Sequence, residues 1–347
     1  MSQKQFYSIE NKDIYQLITA ELAVGASVLF SKDIAQCATS SLPLAGMQLC
    51  EPSVESDVAV QHFAIMGSDI TSDFISQLIA NTDSDSWQLG ALTKHLDVSR
   101  VDVSYSVHLT SAQLTSLQQL CATHKLDVVE LTAKPTLLKP GLVVLDMDST
   151  SITIECIDEI AKLADVGEQV AEITELAMQG KLDFSQSLRS RVSKLRGIEV
   201  SLLDTIANNL PLMPGMKELA QAFKSHGWRV AIASGGFTYF ADNLKALLGL
   251  DAAVSNTLVI EDGKLTGEVA GTIVDAQVKA DTVEALAKEY DIEMSQTIAI
   301  GDGANDLVMM EKAALGIAYH AKPLVQEQAD VAINSGDLRS VIALLSR

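Results

Sequence analysis

The sequence predicts an α/β protein: a doubly wound parallel sheet with a helical insertion, preceded by a smaller α+β domain. After Pro214, short apolar runs of strand length alternate with helical stretches to the end of the chain, as in a parallel sheet covered by helices. Between 58 and 134 the predicted elements instead follow the order βαββαβ, that of a split βαβ fold. A length of 347 residues is typical of two or three domains.

The α+β domain is predicted over 58–134 from its hydrophobic periodicity. Apolar residues recur at helical spacing over 70–79, and a second helix is predicted over 111–123. Strands are predicted over 58–66, 86–95, 101–110 and 126–131. In the third of these, apolar and polar residues alternate, which predicts one buried and one open face. Residues 1–57 form an N-terminal extension with a helix-like piece at 14–24, and the sequence assigns them no fold.

The second domain is predicted over 135–347, after a linker that Pro135, Pro140 and Gly141 indicate. Its first strand leads into a long connection, about 155–210, whose helical stretches exceed a single crossover helix. Part of this connection is therefore expected to form a helical cap.

The segment 143–150 is the most informative one, because an apolar run there ends in two carboxylates and two hydroxyl groups. A buried parallel strand has this composition, and open α/β sheets bind their ligands at the carboxyl ends of such strands. Asp146 and Asp148 would point to the same side, where like charges are costly unless a cation or a shared proton relieves them. A Mg²⁺ site is one solution. Taken alone, the pair would more often be a solvated turn or a helix cap.

Three later segments favour a ligand site over a solvated turn or a helix cap. Ser234-Gly235-Gly236 follows an apolar run and offers a hydroxyl group and backbone N–H groups to an anion. The stretch 301–306, with the sequence GDGAND, follows another run, and Lys279 begins a helical stretch between the two. Singly, these features are typical of a strand–helix turn, a polar loop and a surface lysine. Their order after the carboxylate pair predicts that one edge of the sheet gathers them.

This ordered set resembles the four motifs of the haloacid dehalogenase-like phosphohydrolase superfamily. The first motif matches 146–150, the second Ser234 and Gly235, the third Lys279 and the fourth 301–306. The wording DMDST, SGGF and GDGANDLVMM is closer still to that of the bacterial phosphoserine phosphatases. The resemblance covers about 137–345. It implies Mg²⁺-dependent hydrolysis of O-phospho-L-serine to L-serine and phosphate through an aspartyl-phosphate, the last step of serine biosynthesis.

The resemblance also implies which residues carry the chemistry. Asp146 would be the nucleophile, and Asp148 would protonate the leaving alkoxide and then take a proton from water. Mg²⁺ would be held by the side chains of Asp146 and Asp302 and by the backbone carbonyl of Asp148. Asp306 would support these ligands from outside the metal's own shell.

Four further residues would bind the phosphoryl group. Lys279 would balance the charge on Asp146 and on the phosphoryl oxygens. Ser234 Oγ and the Gly235 N–H would donate hydrogen bonds to the same oxygens, and Asn305 could contact the phosphate.

Substrate selection would come from the cap, where the resemblance implies that Glu155 binds the ammonium group and Arg191 the carboxylate of phosphoserine. From the residues alone, Arg189 and Arg196 compete with Arg191, and each of these charges is equally typical of a solvated helix face. Two apolar residues are predicted either to form a lid that excludes water or to belong to the cap core: Met178 and Phe184.

Charge and composition exclude several functions. The net charge of −20 and the pI of about 4.6 argue against binding to nucleic acids or anionic membranes, which need basic faces. No signal peptide is visible and no apolar run reaches the roughly 20 residues of a membrane span, so we expect a cytoplasmic protein. The four cysteines show no C-x-x-C spacing, which argues against zinc, and Cys156 is predicted to be a small buried residue rather than a redox switch.

The order βαββαβ is similar to that of ACT-like domains, at the level of topology alone. It predicts a homodimer, because such a sheet has an open face and edges that need covering. It also predicts an amino-acid effector.

Two alternatives for the function of the protein stay open: the same chemistry on another small phosphorylated amino acid or amino alcohol, and a ligand-binding sensor or scaffold. An NAD-dependent dehydrogenase is disfavoured, since no G-x-G-x-x-G follows a strand.

Overall fold

The computed structural model describes residues 18–19, 27–31, 47–50, 61–82, 86–132 and 135–346. The chain divides into two compact units, one made of Met1–Ala133 with Ile333–Arg347 and one made of Lys134–Ala332. We call them the N-terminal unit and the large unit.

The N-terminal unit contains a seven-stranded antiparallel sheet. Its strands are Ser27–Ser31 (β1), Met47–Cys50 (β2), Gln61–Gly67 (β3), Ser86–Gly90 (β4), Thr93–His95 (β5), Val98–Tyr105 (β6) and Asp127–Glu130 (β7). They lie in the order β2-β1-β4-β6-β3-β7, with β5 paired to β6. Strands β1 and β2 fall within 1–57, for which the sequence assigned no fold, and they extend the sheet beyond β4. Most of the predicted helix 14–24 lies outside the described residues.

Two helices, Ser72–Asn81 (α1) and Ser111–Thr123 (α2), pack on one face of this sheet. Thr71 caps α1 by accepting the N–H of Phe74 at 3.2 Å, and α2 begins with a capping box at Thr110. The two helices and the strands share one apolar core, which includes Phe63, Ile65, Phe74, Ile75, Leu78, Val101, Val103, Leu117 and Cys121.

The C-terminal helix, Arg339–Leu345, contacts β3, β5 and β6 of the same sheet. Arg100 on β6 is only 4% exposed and donates to the carbonyl oxygens of Ala343 at 2.7 Å and Leu344 at 3.0 Å. Its guanidinium also pairs with Asp102 at 2.7 Å. We expected an open face along this strand. At Arg100 that face is instead covered, because a helix from the far end of the chain packs there.

The segment 333–347 therefore belongs to the N-terminal unit, whereas we assigned it to the domain 135–347. A second contact holds it there. The carboxylate of Asp127 accepts the backbone N–H groups of three successive residues, 334–336, at distances between 2.8 and 3.0 Å. Charge-assisted hydrogen bonds of this kind are roughly twice as strong as neutral ones. No local pattern indicates this pairing, because its partners are more than 200 residues apart in the sequence.

A second seven-stranded sheet forms the centre of the large unit. Its strands are Leu142–Leu145 (β8), Arg229–Phe237 (β9), Ala252–Glu261 (β10), Lys264–Ala270 (β11), Thr297–Gly301 (β12), Leu315–Tyr319 (β13) and Val331–Ile333 (β14). They lie in the order β11-β10-β9-β8-β12-β13-β14. The run from β10 to β13 is parallel, and β11 forms an antiparallel hairpin with β10. The predicted α/β fold with a parallel sheet is confirmed.

Helices connect these strands. They are Cys156–Leu163 (α3), Gly167–Met178 (α4), Phe184–Ser193 (α5), Val200–Ala207 (α6), Met216–Ser225 (α7), Thr238–Leu248 (α8), Ala276–Glu289 (α9), Leu307–Lys312 (α10) and Pro323–Gln328 (α11). The first four, α3 to α6, lie in the predicted insertion between β8 and β9. Among the described residues, no helix is both long and apolar enough to cross a membrane.

Backbone hydrogen bonds tie residues 197–200, between α5 and α6, to the hairpin of β10 and β11. The N–H of Gly197 donates to the carbonyl of Leu265 at 2.7 Å, and the N–H of Leu265 donates to Ile198 at 2.8 Å. A third bond joins the N–H of Val200 to the carbonyl of Gly263 at 2.9 Å. This part of the insertion is therefore anchored to the sheet.

Candidate active site

The parallel strands bring three polar residues to one edge of the sheet. Strand β8 lies between β9 and β12 and is parallel to both. Asp146 follows the last residue of β8, Ser234 lies near the end of β9, and Asp302 follows β12. These residues converge because neighbouring parallel strands end at the same edge. The N–H of Asp146 donates to the carbonyl of Ile300 at 2.9 Å, which ties the first loop to β12.

A buried lysine is paired with two carboxylates at this edge. Lys279 Nζ lies 2.9 Å from Asp146 Oδ1 and 2.7 Å from Asp306 Oδ1. Lys279 is 1% exposed, which excludes the alternative of a surface lysine. Burial alone would lower the pKa of Lys279, but the two carboxylates outweigh it and raise that pKa above its ordinary value. The lysine is therefore held in its charged form.

Three carboxylates at this edge can hold a metal ion. One oxygen each of Asp146, Asp302 and Asp306 lies within 4.8 Å of the others, and such oxygens are the ligands that Mg²⁺ prefers. Burial and the charge of Asp146 raise the pKa of Asp302, and a bound cation would stabilise its ionised form. Asp306 is already bound by Lys279 and by the N–H of Gly303 at 3.1 Å. The three carboxylates together are a set of oxygen donors that fits a divalent cation.

Two hydroxyl side chains directly after the carboxylate pair hold other parts of the site. Ser149 Oγ donates to Glu155 Oε1 at 2.7 Å, and Thr150 Oγ1 donates to Asp302 Oδ1 at 2.9 Å. Ser149 has a φ of 58°, in the left-handed region that few side chains adopt. The sequence predicted no role for either hydroxyl group. Their position directly after the two carboxylates is the signal that could have indicated one.

Asp148 is poised to carry a proton. Its Oδ1 atom is buried and has no hydrogen-bond partner in the described part of the chain. Burial, followed by the charges of Glu155 and Asp146, raises the pKa of Asp148 to about 8, although hydrogen bonds from Cys156 oppose the shift. Cys156 is buried, as predicted. A Cβ atom at Gly236 would lie 2.7 Å from Met147 Cε and 3.1 Å from Asp148 Oδ2, so a larger residue there would displace these side chains.

A cavity of about 220 Å³ lies at this edge and is bounded by the sheet and the helical insertion. Eight of the predicted site residues line it: Asp146, Asp148, Glu155, Arg191, Ser234, Gly235, Asp302 and Asn305. Lys279 is connected to the lining through its ion pair with Asp146. Phe184 lines the cavity as well, whereas Met178 is 69% exposed and lies outside the lining.

Of the three candidate arginines, Arg191 is the one that lines the cavity. Arg189 and Arg196 are exposed, and Arg196 pairs with Glu268 at 3.7 Å. Arg191 Nε is buried and has no hydrogen-bond partner within the described ranges. A buried donor without a partner costs roughly 1–3 kcal/mol, and more when it is charged, so this geometry indicates a place for an anion. Burial raises the pKa of Glu155, the carboxylate in the same lining.

Residues 140–314 match the sequence model of the haloacid dehalogenase-like hydrolase family. The chain belongs to this family. It is 56% identical to a phosphoserine phosphatase of Vibrio cholerae over 243 residues, which cover 70% of this chain and 74% of the relative. It is 59% identical to a phosphoserine phosphatase of Haemophilus influenzae over 222 residues, which cover 64% of this chain and 71% of the relative.

Solved structures of the family share the fold. A probable phosphoserine phosphatase from Vibrio cholerae, in unliganded form, superposes with a TM-score of 0.73 at 48% identity and covers 82% of this chain and 86% of its own. A HAD family hydrolase from Salmonella enterica serovar Typhi reaches a TM-score of 0.75 at 30% identity, over 82% of this chain and 99% of its own. A substrate-bound phosphoserine phosphatase complex has a TM-score of 0.57 at 41% identity, over 60% of this chain and 99% of its own.

Proposed function

We propose that this protein is a Mg²⁺-dependent phosphoserine phosphatase, which hydrolyses O-phospho-L-serine to L-serine and phosphate in the last step of serine biosynthesis. The single observation that carries this proposal is one cavity lined by two chemically different sets of residues. The first set, which we call the phosphoryl end, includes the carboxylates of Asp146 and Asp148. The second, the cap end, is Glu155 and Arg191, whose buried Nε has no hydrogen-bond partner among the described residues. The phosphoserine phosphatases among the relatives, at 56% and 59% identity, support the same substrate.

The geometry at the phosphoryl end supports two chemical steps. In the first, an oxygen of Asp146 attacks phosphorus, the bond from phosphorus to the serine oxygen breaks, and Asp148 gives its proton to that oxygen. In the second, Asp148 takes a proton from a water molecule whose oxygen attacks phosphorus and releases Asp146. A pKa near 8 leaves Asp148 protonated for the first step at neutral pH. Lys279 offsets the negative charge of Asp146 as phosphate approaches.

The remaining residues of this end bind the phosphoryl oxygens and the metal. Ser234 and Gly235 lie in the lining, where a hydroxyl and a backbone N–H can donate hydrogen bonds to these oxygens. Asn305 lines the same end and is proposed to contact phosphate. Bound Mg²⁺ would neutralise charge between the phosphoryl group and the carboxylates. Its ligands are proposed to be the side chains of Asp146 and Asp302 and the backbone carbonyl of Asp148, with Asp306 supporting them.

The cap end supports selection of an amino acid. Phosphoserine carries an ammonium and a carboxylate group, and the cavity offers one carboxylate, Glu155, and one guanidinium, Arg191. The hydrogen bond from Ser149 holds Glu155 in the lining. An arginine fork suits a carboxylate in bidentate geometry. Both charged groups of the substrate would therefore find a partner of opposite sign.

The test is phosphate release from L-phosphoserine, with and without Mg²⁺, beside p-nitrophenyl phosphate, which lacks both amino-acid charges. Glu155→Gln and Arg191→Gln should each lower kcat/KM for phosphoserine by about one to two decades, since a charge-assisted contact is worth roughly 1.5–3 kcal/mol. Turnover of p-nitrophenyl phosphate should change little.

Arg189→Gln is the matched control, because Arg189 is an exposed arginine on the same helix. It should leave both activities unchanged. Equal losses on both substrates in the Arg191 variant would show that the residue supports the cap instead of selecting the ligand. A panel with phosphothreonine and phosphoethanolamine separates phosphoserine from the alternative substrates.

For the N-terminal unit we propose an ACT-like domain that mediates homodimerisation and binds an amino-acid effector such as serine. The succession β3-α1-β4-β6-α2-β7 and the spatial order β4-β6-β3-β7 support a ferredoxin-like topology. Strand β7 lies at an edge of the sheet, where a second copy could pair. Twofold dimers are also the commonest assemblies of soluble proteins.

Light scattering of the full chain should give twice the chain mass of 37.1 kDa. The fragment 134–332, which contains all four motifs, should be monomeric and active. It must end at 332, because the C-terminal helix buries its apolar side chains within the N-terminal unit. The fragment 134–347 is the control and should aggregate, since it exposes that helix. A monomeric full chain would contradict the dimerisation role.

A further inference from the structure

Asn256 is a buried side chain that joins two segments of the site without lining the cavity. It is 1% exposed. Its Nδ2 donates to the carbonyl oxygen of Gly235 at 2.8 Å, and its Oδ1 accepts the N–H of Val274 at 2.8 Å. Each end of the amide has the one kind of partner that it can bind, so its orientation is determined.

The two partners lead to different parts of the phosphoryl end. Gly235 lies in the last part of β9, which lines the cavity beside Ser234. Val274 directly precedes Asp275, the residue that caps α9 by accepting the N–H of Val278 at 3.0 Å. Helix α9 carries Lys279 in its first turns. One side chain thus connects the end of β9, which is proposed to bind phosphate, with the helix that carries the buried lysine.

An irregularity in the sheet accompanies this contact. The pairing of β10 with β9 shifts register between Val254 and Asn256. Such irregularities re-aim a side chain that would otherwise continue the strand's alternation. A buried amide is costly unless both of its ends are hydrogen-bonded, and in Asn256 both ends are.

Gly235 needs an outside partner to define its orientation. A Cβ atom at this position would lie 2.8 Å from Phe184 Cζ, so a larger residue would push the Phe184 ring aside. A glycine, however, has more backbone freedom than any other residue. The peptide group that joins Gly235 to Gly236 is held at both ends: Asn256 binds its carbonyl oxygen at 2.8 Å, and its N–H donates to Ser234 Oγ at 2.9 Å.

We propose that Asn256 is a positioning residue for phosphoryl transfer: it holds the Gly235 carbonyl and sets the end of β9, which carries Ser234 and the Gly235 N–H, against the helix of Lys279. This inference rests on the proposed phosphatase function. Asn256 acts through Gly235 and does not touch the substrate. Its loss therefore affects the phosphoryl end of the cavity and leaves recognition by Glu155 and Arg191 intact.

Asn256→Asp tests this directly, because it keeps the shape and the acceptor for Val274 but places an oxygen against the Gly235 carbonyl. We expect kcat to fall roughly 10- to 100-fold, as for a displacement of reacting groups by about 1 Å. The fractional loss of kcat should be equal on phosphoserine and p-nitrophenyl phosphate, because both present the same phosphoryl group. Inhibition by inorganic phosphate should weaken. Asn256→Ser, which removes both contacts without adding a charge, should act in the same direction.

Gln296→Glu is the matched control. Gln296 is another buried amide, 6% exposed, and it accepts the N–H of Thr136 and donates to the Thr136 carbonyl, both at 3.0 Å. The same chemical change there should lower the melting temperature and leave kcat unchanged in the folded protein.

Three outcomes overturn the inference: wild-type kcat in the folded Asn256 variants, an equal loss of kcat in Gln296→Glu, or a loss confined to phosphoserine. If the proposed function is wrong, the wild-type protein will release no phosphate from phosphoserine, which is a different result from these three. In that case inorganic phosphate binding, measured by calorimetry on the wild-type and variant proteins, still decides the role of Asn256.

Discussion

Asp146→Asn should abolish phosphate release from phosphoserine and from p-nitrophenyl phosphate while the fold is retained. The amide cannot serve as the covalent acceptor, so both steps are lost, and losses of nucleophiles lower kcat by roughly 10⁴- to 10⁶-fold. The substitution keeps the shape of the side chain, and Lys279 keeps its contact with Asp306 at 2.7 Å. Phosphate release, circular dichroism and thermal melting of the same preparation measure this.

Asp165→Asn is the control for a change from aspartate to asparagine. Asp165 is exposed and has a φ of 57°, a conformation that asparagine adopts readily. It should turn over both substrates like the wild type. If Asp146→Asn retained a tenth of the wild-type kcat, Asp146 could not be the nucleophile.

Lys279→Met should unfold more easily and should also be inactive. Asp146 and Asp306 both bind the ammonium group, at 2.9 and 2.7 Å, and its removal leaves two buried carboxylates without their cation. Breaking a buried ion pair by removing one partner costs about 3–5 kcal/mol. Urea unfolding without added metal measures the change in the free energy of unfolding, and phosphate release measures activity.

Lys162→Met provides the comparison. Lys162 pairs with Glu159 at 2.5 Å, but its side chain is 67% exposed, and such pairs contribute little because water and salt screen them. Its urea midpoint should match that of the wild type. A wild-type midpoint for Lys279→Met as well would contradict the view that this lysine neutralises the two carboxylates.

The sequence alone indicated the large unit's fold and the segments that meet in its site. Apolar runs ending in Asp146, in Ser234 and in Asp302 follow the rule that parallel strands present ligand-binding residues at their carboxyl ends. That rule depends on local composition, which is why it can be read along the chain. The order β9-β8-β12, which makes the three runs neighbours, is a property of the sheet and became visible only in the structure.

Tertiary structure decided the features whose partners are distant in the sequence. Lys279 has the local pattern of a surface lysine, and only packing shows that it is buried between carboxylates. Arg191 differs from Arg189 and Arg196 by the cavity that it lines, and helical spacing did not distinguish the three. Asn256 is a polar residue in a strand whose partners lie 21 and 18 residues away.

The domain boundary also depends in part on contacts between residues that are distant in the sequence. Proline and glycine near 135 marked the start of the large unit, because these residues interrupt regular structure locally. The return of 333–347 to the N-terminal unit depends on Arg100 and Asp127, which bind backbone groups more than 200 residues away. Periodicity and turn residues report the conformation of neighbouring residues. They carry no information about such pairings, so the chain by itself determined the elements and motifs, and only the folded structure decided which of them meet.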